Sequence, residues 1–155
     1  MILLFRILLK FVFSKKNSHI LVVFQNNHEL RGGGGYITQL LDISCGKWKI
    51  KLDFRHDYHD FKHRKLIEPP EMVKKYLGLK HWHLRDSNLF GSFNENADSI
   101  SKNYNSIYPN YEVAGVIAIN FSLIEKILNI LGEVQLKSKN IDGVNLFSEL
   151  TNTVS

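Results

Sequence analysis

One cysteine, Cys45, stands among 155 residues, so no internal disulfide can form and no zinc site built from several thiolates is possible. A single thiol assigns no redox compartment, because many exported proteins also lack disulfides. Cys45 lies in Ser44-Cys45-Gly46, which reads as a turn. The chain also lacks an uninterrupted apolar run of the ~20 residues that a membrane-crossing helix needs. Met1 to Phe13, MILLFRILLKFVF, comes nearest, and Arg6 and Lys10 interrupt it. That run does not have the order of a signal peptide either, since Ser14-Lys15-Lys16-Asn17 follows where a small-residue cleavage site belongs. It reads as an apolar N-terminal helix over 1–17 that docks on protein. A membrane-surface helix is the alternative, because Arg6 and Lys10 share a face. No internal repeat or low-complexity linker divides the remainder, and 18–155 reads as a single domain.

What is present suits one core and an anionic partner. A hydrophobic content of 44% at this length can bury one sizeable core. A formal charge of +5 and a pI near 9.3 favour meeting phosphate, acidic glycan, lipid headgroups or nucleic acid, without bearing on the fold. His19 to Phe24 is a β-branched apolar run of the kind a buried strand shows, and Tyr36 to Ile43 follows as a second strand. Beyond the turn, Trp48, Ile50, Leu52 and Phe54 alternate with Lys47, Lys49, Lys51 and Asp53, which predicts an antiparallel hairpin with a core face and a wet face.

Arg55 to Lys65 is dense in charge and reads as an exposed excursion. Pro69-Pro70 opens a helix with a stripe of Met72, Val73, Tyr76 and Leu77, which Gly78 closes. A second helix is expected from about Ala97, with Ile100, Tyr104, Ile107 and Tyr108 on one side and Pro109 as its stop. Val113 to Ile119 reads as a central strand covered on both sides. Asn120 caps a helix over Phe121 to Leu131, with Leu123, Ile124, Ile127, Leu128 and Leu131 on one face and Gly132 at its end. A short strand near Val134 to Leu136 completes a βαβ-like or α+β ending. Asn140 to Gly143 is a turn, and a last helix begins at Val144, cut short by the C-terminus. The fold class is α/β, a mixed central sheet with flanking helices.

Two segments pair a cation with flexible or polar backbone. Gln25-Asn26-Asn27-His28-Glu29-Leu30-Arg31 runs straight into Gly32-Gly33-Gly34-Gly35. A planar guanidinium beside glycine amides suits an anionic oxygen cluster, whereas the plainer reading is a glycine turn with a solvated arginine. Arg85-Asp86-Ser87-Asn88 offers a cation, a carboxylate and an amide in one loop, or simply a loop ion pair. His56, Asp57, His59, Asp60 and His63, with His81 and His83 further on, are dense in ligand atoms. Their spacing fits no helical His-Glu-x-x-His pattern, and Lys47 to Lys65 carries seven Lys/Arg against three Asp, so a tight metal is not expected there. Nucleic acid is not the expected partner, because strand alternation sends Trp48 and Phe54 away from Lys47, Lys49 and Lys51.

The order of these motifs resembles a bacterial envelope family, domain of unknown function number four thousand and twelve. The resemblance rests on Val22-Val23-Phe24-Gln25-Asn26-Asn27-His28-Glu29-Leu30-Arg31 with its glycines, on Pro69-Pro70 and on Arg85-Asp86-Ser87-Asn88. It continues through Ala114-Gly115-Val116-Ile117-Ala118-Ile119-Asn120 and Leu131-Gly132-Glu133-Val134. That family is itself similar to the LytR-CpsA-Psr proteins, which transfer glycans from polyprenyl-pyrophosphate carriers to cell-wall polymers. The resemblance implies an extracytoplasmic, membrane-associated domain that binds a polyprenyl-pyrophosphate glycan or another anionic envelope polymer. It implies Arg31, Arg85 and Asp86 as catalytic residues for glycan phosphotransfer, and Asp86 as a ligand for Mg2+. Asn26, Arg31, Gly33, Gly34, Arg85 and Asn88 would contact the substrate. Where the transferases carry an aspartate soon after the first arginine, this chain has glycine, and a Pro expected after Arg31 is Gly32. The alternative is therefore a non-catalytic module for an anionic glycan or lipid phosphate.

Overall fold

A computed structural model describes residues 18–46, 49–55, 67–136 and 138–149. The helix expected over 1–17, Trp48, and the histidine-rich stretch from His56 to His63 lie outside these residues. Four strands form one sheet in the order β3-β2-β1-β4. They are β1 (Ser18–Asn26), β2 (Tyr36–Gly46), β3 (Lys49–Arg55) and β4 (Glu112–Asn120). β1 pairs antiparallel with β2 and parallel with β4, and β2 pairs antiparallel with β3. The helices are α1 (Glu71–Leu77), α2 (Phe93–Ile107) and α3 (Phe121–Leu131), with a single 3-10 turn at Leu84–Asp86. A ribbon of β5 (Val134–Leu136) and β6 (Lys139–Ile141) precedes helical residues 146–149. The α/β class is as expected: a mixed sheet with helices.

Local punctuation decides the helix ends. Asn120 is extended and its side chain accepts the Leu123 N–H, the expected N-cap of α3. Gly78 ends α1 in the left-handed region, at φ 63°. α2 begins at Phe93 rather than near Ala97, because extended Ser92 precedes it and Asn96 ties its first turn back to the chain. The Asn96 side chain accepts from Phe90 N and donates to the carbonyls of Phe90 and Ser92.

The core fills the space between one sheet face and α2. Leu21 and Val23 of β1, Ile37 and Leu40 of β2, Leu84 of the 3-10 turn, and Ile100 and Tyr104 of α2 form one buried cluster. The strand register corrects the reading of β3. Asp53 pairs with Asp42 and Arg55 with Leu40, so the polar side of β3 shares the face on which α2 packs. Its apolar side continues the opposite face, where Leu52 aligns with Ile43 and Ile20, and Phe54 with Leu41 and Val22. At this outer strand Ile50, Leu52 and Phe54 are each about 60% exposed. Alternation revealed two faces but could not say which one α2 covers.

Several other expectations change for the same kind of reason. Ser44-Cys45-Gly46 is strand rather than turn, and Cys45 is buried opposite Ile50. Among the described residues β4 is an edge strand, and its apolar run is only partly covered. Of the expected α1 stripe only Val73 is buried. The apolar face of α3 leaves Leu123, Ile127 and Leu131 exposed. β5 pairs with β6 in a separate ribbon, so the ending is not a βαβ unit, and Ile141 belongs to β6 rather than to a turn.

A polar network lies inside the core. Asp42, 2% exposed, accepts the Tyr104 hydroxyl at 2.6 Å and meets His19 Nδ1 at 2.7 Å. Arg55 donates to Tyr108 Oη at 2.6 Å and to Asp53 at 2.7 Å, lies 4.7 Å over the Tyr108 ring, and stands 4.0 Å from Asp42. His19 stacks on Tyr111 at 4.1 Å. Burial, and then the Asp42 carboxyl group, push the Tyr104 pKa far above its usual value of about 10. An unfolded tyrosine ionises near pH ~10 while folded Tyr104 keeps its proton, so this group lowers stability as pH rises past that value. Unfolding free energies from urea denaturation across that range should fall with pH by up to ~1.4 kcal/mol per unit from this group. Tyr104→Phe should flatten the slope; an unchanged slope in that variant would count against the buried hydroxyl as its source.

Candidate functional site

The motif after β1 sits where two parallel strands end. Gln25 of β1 aligns with Asn120 of β4, so the Gln25-to-Arg31 segment, the end of β4 and the start of α3 meet at one edge of the sheet. In open α/β sheets the carboxyl ends of parallel strands form the usual crevice for ligands.

Most polar groups of the motif are consumed in building this edge. Gln25 Nε2 donates to the carbonyl of Gly33 at 3.1 Å. Asn26 closes an Asx turn: its Oδ1 accepts the His28 N–H at 3.1 Å and its Nδ2 donates to Glu29 at 3.1 Å. Asn27 bridges to α3, donating to Ser122 Oγ at 2.9 Å and accepting the Ser122 N–H at 3.4 Å. His28 stacks on Phe147 at 4.0 Å. The guanidinium of Arg31 has no carboxylate partner among the described residues. It lies 5.2 Å over the Tyr36 ring, and its buried Nε has no hydrogen-bond partner. Arg31 thus has hydrogen-bonding capacity that the loop leaves unspent.

The glycines are required by close approach. Gly33 N–H donates to the carbonyl of Asn88 at 2.7 Å, and Asn88 Nδ2 donates to the carbonyl of Gly35. A Cβ at Gly33 would stand 2.6 Å from the Asn88 carbonyl, and one at Gly32 only 2.5 Å from the carbonyl of Leu89. The loop after Arg31 and the loop after Arg85 therefore lie backbone to backbone, which no spacing in the sequence discloses.

That contact assigns several expected residues to construction. Gly33 N–H is taken by Asn88, and Gly34 N–H by the carbonyl of Arg31 at 3.1 Å, so both amides are spent inside the loop. Asn88 is fully buried as the strut between the segments, and Asn26 holds the turn. Arg85 lies half-buried in the 3-10 turn beside Asp86, which is 8% exposed. Sequence reasoning did not single out Gln25 or Asn27 as builders, nor the Asp42 network. The signal for the network was an aspartate set between Leu40-Leu41 and Ile43 of β2.

Among the described residues no three His, Cys, Asp or Glu side chains group so as to hold a metal ion. Beside Arg85 stands the buried carboxylate of Asp86, and a Mg2+ ion held together with substrate phosphates takes one or two carboxylates and several waters. Among those residues no helix is long and apolar enough to cross a membrane.

No curated protein and no solved structure matches this chain. A family model described as "Protein of unknown function (DUF4012)" matches residues 15–154, a span that takes in the motif after β1, both glycine-bearing loops and the whole sheet. The chain belongs to the DUF4012 family.

Proposed function

We propose that this domain binds a polyprenyl-pyrophosphate-linked glycan or a similar anionic substrate of the cell envelope, outside the cytoplasmic membrane, with Arg31 and Arg85 neutralising the phosphate charge. The observation that carries the reading is the Gly33–Asn88 hydrogen bond with the Asn88–Gly35 bond beside it, which ties the segment bearing Arg31 to the segment bearing Arg85. The unpartnered Nε of Arg31 at the carboxyl ends of β1 and β4 supports it further. A guanidinium suits this task because its planar fork meets two phosphate oxygens at once and never loses its charge.

The motif likeness to LytR-CpsA-Psr transferases motivates the pyrophosphate and the envelope setting. For the chemistry, the binding reading is preferred over glycan phosphotransfer. Glycines follow Arg31 where a second metal-holding carboxylate is wanted, so a dication would be held only loosely through Asp86. Binding then rests on the two arginines and no step is routed through a metal.

Calorimetry with a short polyprenyl pyrophosphate tests this. Arg31→Ala and Arg85→Ala should each weaken binding by ~10- to 100-fold, the value of one charge-assisted contact, and affinity should fall with added salt. Equal affinity for the parent protein and Arg85→Ala would remove Arg85 from the site. Robust Mg2+-dependent glycan transfer that Asp86→Ala abolishes would replace the binding reading by the catalytic one.

A further inference from the structure

A cleft whose lining includes neither Arg31 nor the glycines after it borders Phe90. It has a volume of about 360 Å3 and lies between the segment leading into α1, the residues around Trp82 and one face of α2. Trp82 N–H donates to the carbonyl of Ile67 at 2.9 Å, which fixes one wall against the other. The Trp82 indole, 4% exposed, donates to Ser99 Oγ at 3.3 Å, and Phe90 forms the adjoining aromatic wall.

The polar lining is dominated by acceptors. Glu95, Asp98, Lys102 and Asn103 fall at helical spacings of three, four and one, on one face of α2, and all line the cleft. Glu68 joins them from the opposite wall but is engaged by Lys74. Glu95 and Asp98 have no ion-pair partner among the described residues. Asn103 is fully buried, its Nδ2 donates to the Trp82 carbonyl and to Ser87 Oγ, and its Oδ1 has no hydrogen-bond partner. An unpartnered buried carbonyl in a cleft wall is a polar group in want of a donor. Among the described residues of the lining, Lys102 is the one cation. In a chain of net charge +5, a cleft with this acidic balance stands against the general field.

The geometry points to a site for an organic cation: the lysine or arginine side chain of a peptide segment. Carboxylates at the rim attract the charge, Phe90 and Trp82 pack the aliphatic stem and face the cationic head, and Asn103 Oδ1 accepts one of its N–H groups. The volume lies at the lower end of small-molecule sites, enough for one long side chain and its immediate neighbours. The site is independent of Arg31, although the loop that backs the glycines also supplies Phe90.

The test uses the full chain carrying Trp48→Phe, which leaves Trp82 as the sole tryptophan. Titration with the capped tripeptide acetyl-Lys-Gly-Arg-amide should give a saturable change in Trp82 emission that weakens with salt. The combined change Glu95→Gln and Asp98→Asn, both at exposed helix positions, should raise Kd by about tenfold. Arg31→Ala should leave Kd unchanged. Circular dichroism of the double variant checks that it is folded. Three results would overturn the proposal: no saturation with the peptide, equal affinity for a version with norleucine in place of lysine and arginine, or equal affinity in the double variant. Saturable binding of uncharged chitotetraose without any of the peptide would likewise replace a cation site by a neutral-sugar site.

Discussion

Asp42→Ala should be among the most damaging single substitutions in this domain, lowering the unfolding free energy by ~3–5 kcal/mol. Asp42 is the common acceptor for Tyr104 and His19, and it faces Arg55 across 4.0 Å. Its removal leaves a buried hydroxyl and a buried imidazole N–H without the oxygen they were placed against, in a region that water does not reach. Against a typical total stability of ~5–15 kcal/mol, such a loss approaches unfolding. Tyr104→Phe removes one donor and leaves the carboxyl group to His19 and Arg55, so it should cost only ~1 kcal/mol. Urea denaturation of the two variants separates the cases. A loss below ~1 kcal/mol for Asp42→Ala would mean that the network is a tolerated burden rather than an organising element.

The second large effect is expected at Gly33. In Gly33→Ala the new methyl group would lie 2.6 Å from the Asn88 carbonyl, 2.8 Å from Asn96 Nδ2 and 2.9 Å from Asn88 Cβ. Two of these atoms belong to a fully buried residue and the third to the side chain that anchors α2, so little can move aside. The loops should separate, breaking the Gly33–Asn88 hydrogen bond, at a cost of ~1–3 kcal/mol from overpacking. Pyrophosphate affinity should fall with it, because Arg31 loses its fixed relation to the 85–88 segment. Gly91→Ala is the matched control: nothing stands within 4 Å of its would-be Cβ, and its φ is not in the left-handed region. If Gly33→Ala and Gly91→Ala melt alike and bind alike, close backbone approach is not what this loop requires.

The local part of this architecture is legible in the sequence. The order of β1 to β5 and of the helices, the Asn120 cap, the Gly78 stop and the antiparallel pairing of β2 with β3 follow from local punctuation and periodicity, because each is decided by neighbours within a few positions. Family membership follows from the contiguous segment Gln25 to Arg31 and the loops after it. What only the tertiary structure decided is the use to which those residues are put. β3 alternates plainly, yet its register with β2 places Arg55 and Asp53 on the α2 side and Ile50, Leu52 and Phe54 on the other. Asn26 and Asn88 read as ligand contacts, yet one closes a turn and the other braces a loop 53 positions away. The cleft beside Trp82 assembles from three separate stretches of chain, and no window along the sequence contains it. The physical reason is the same in each case. Periodicity reports which residues share a side of an element, whereas the partner across that side is set by pairing and packing between distant segments.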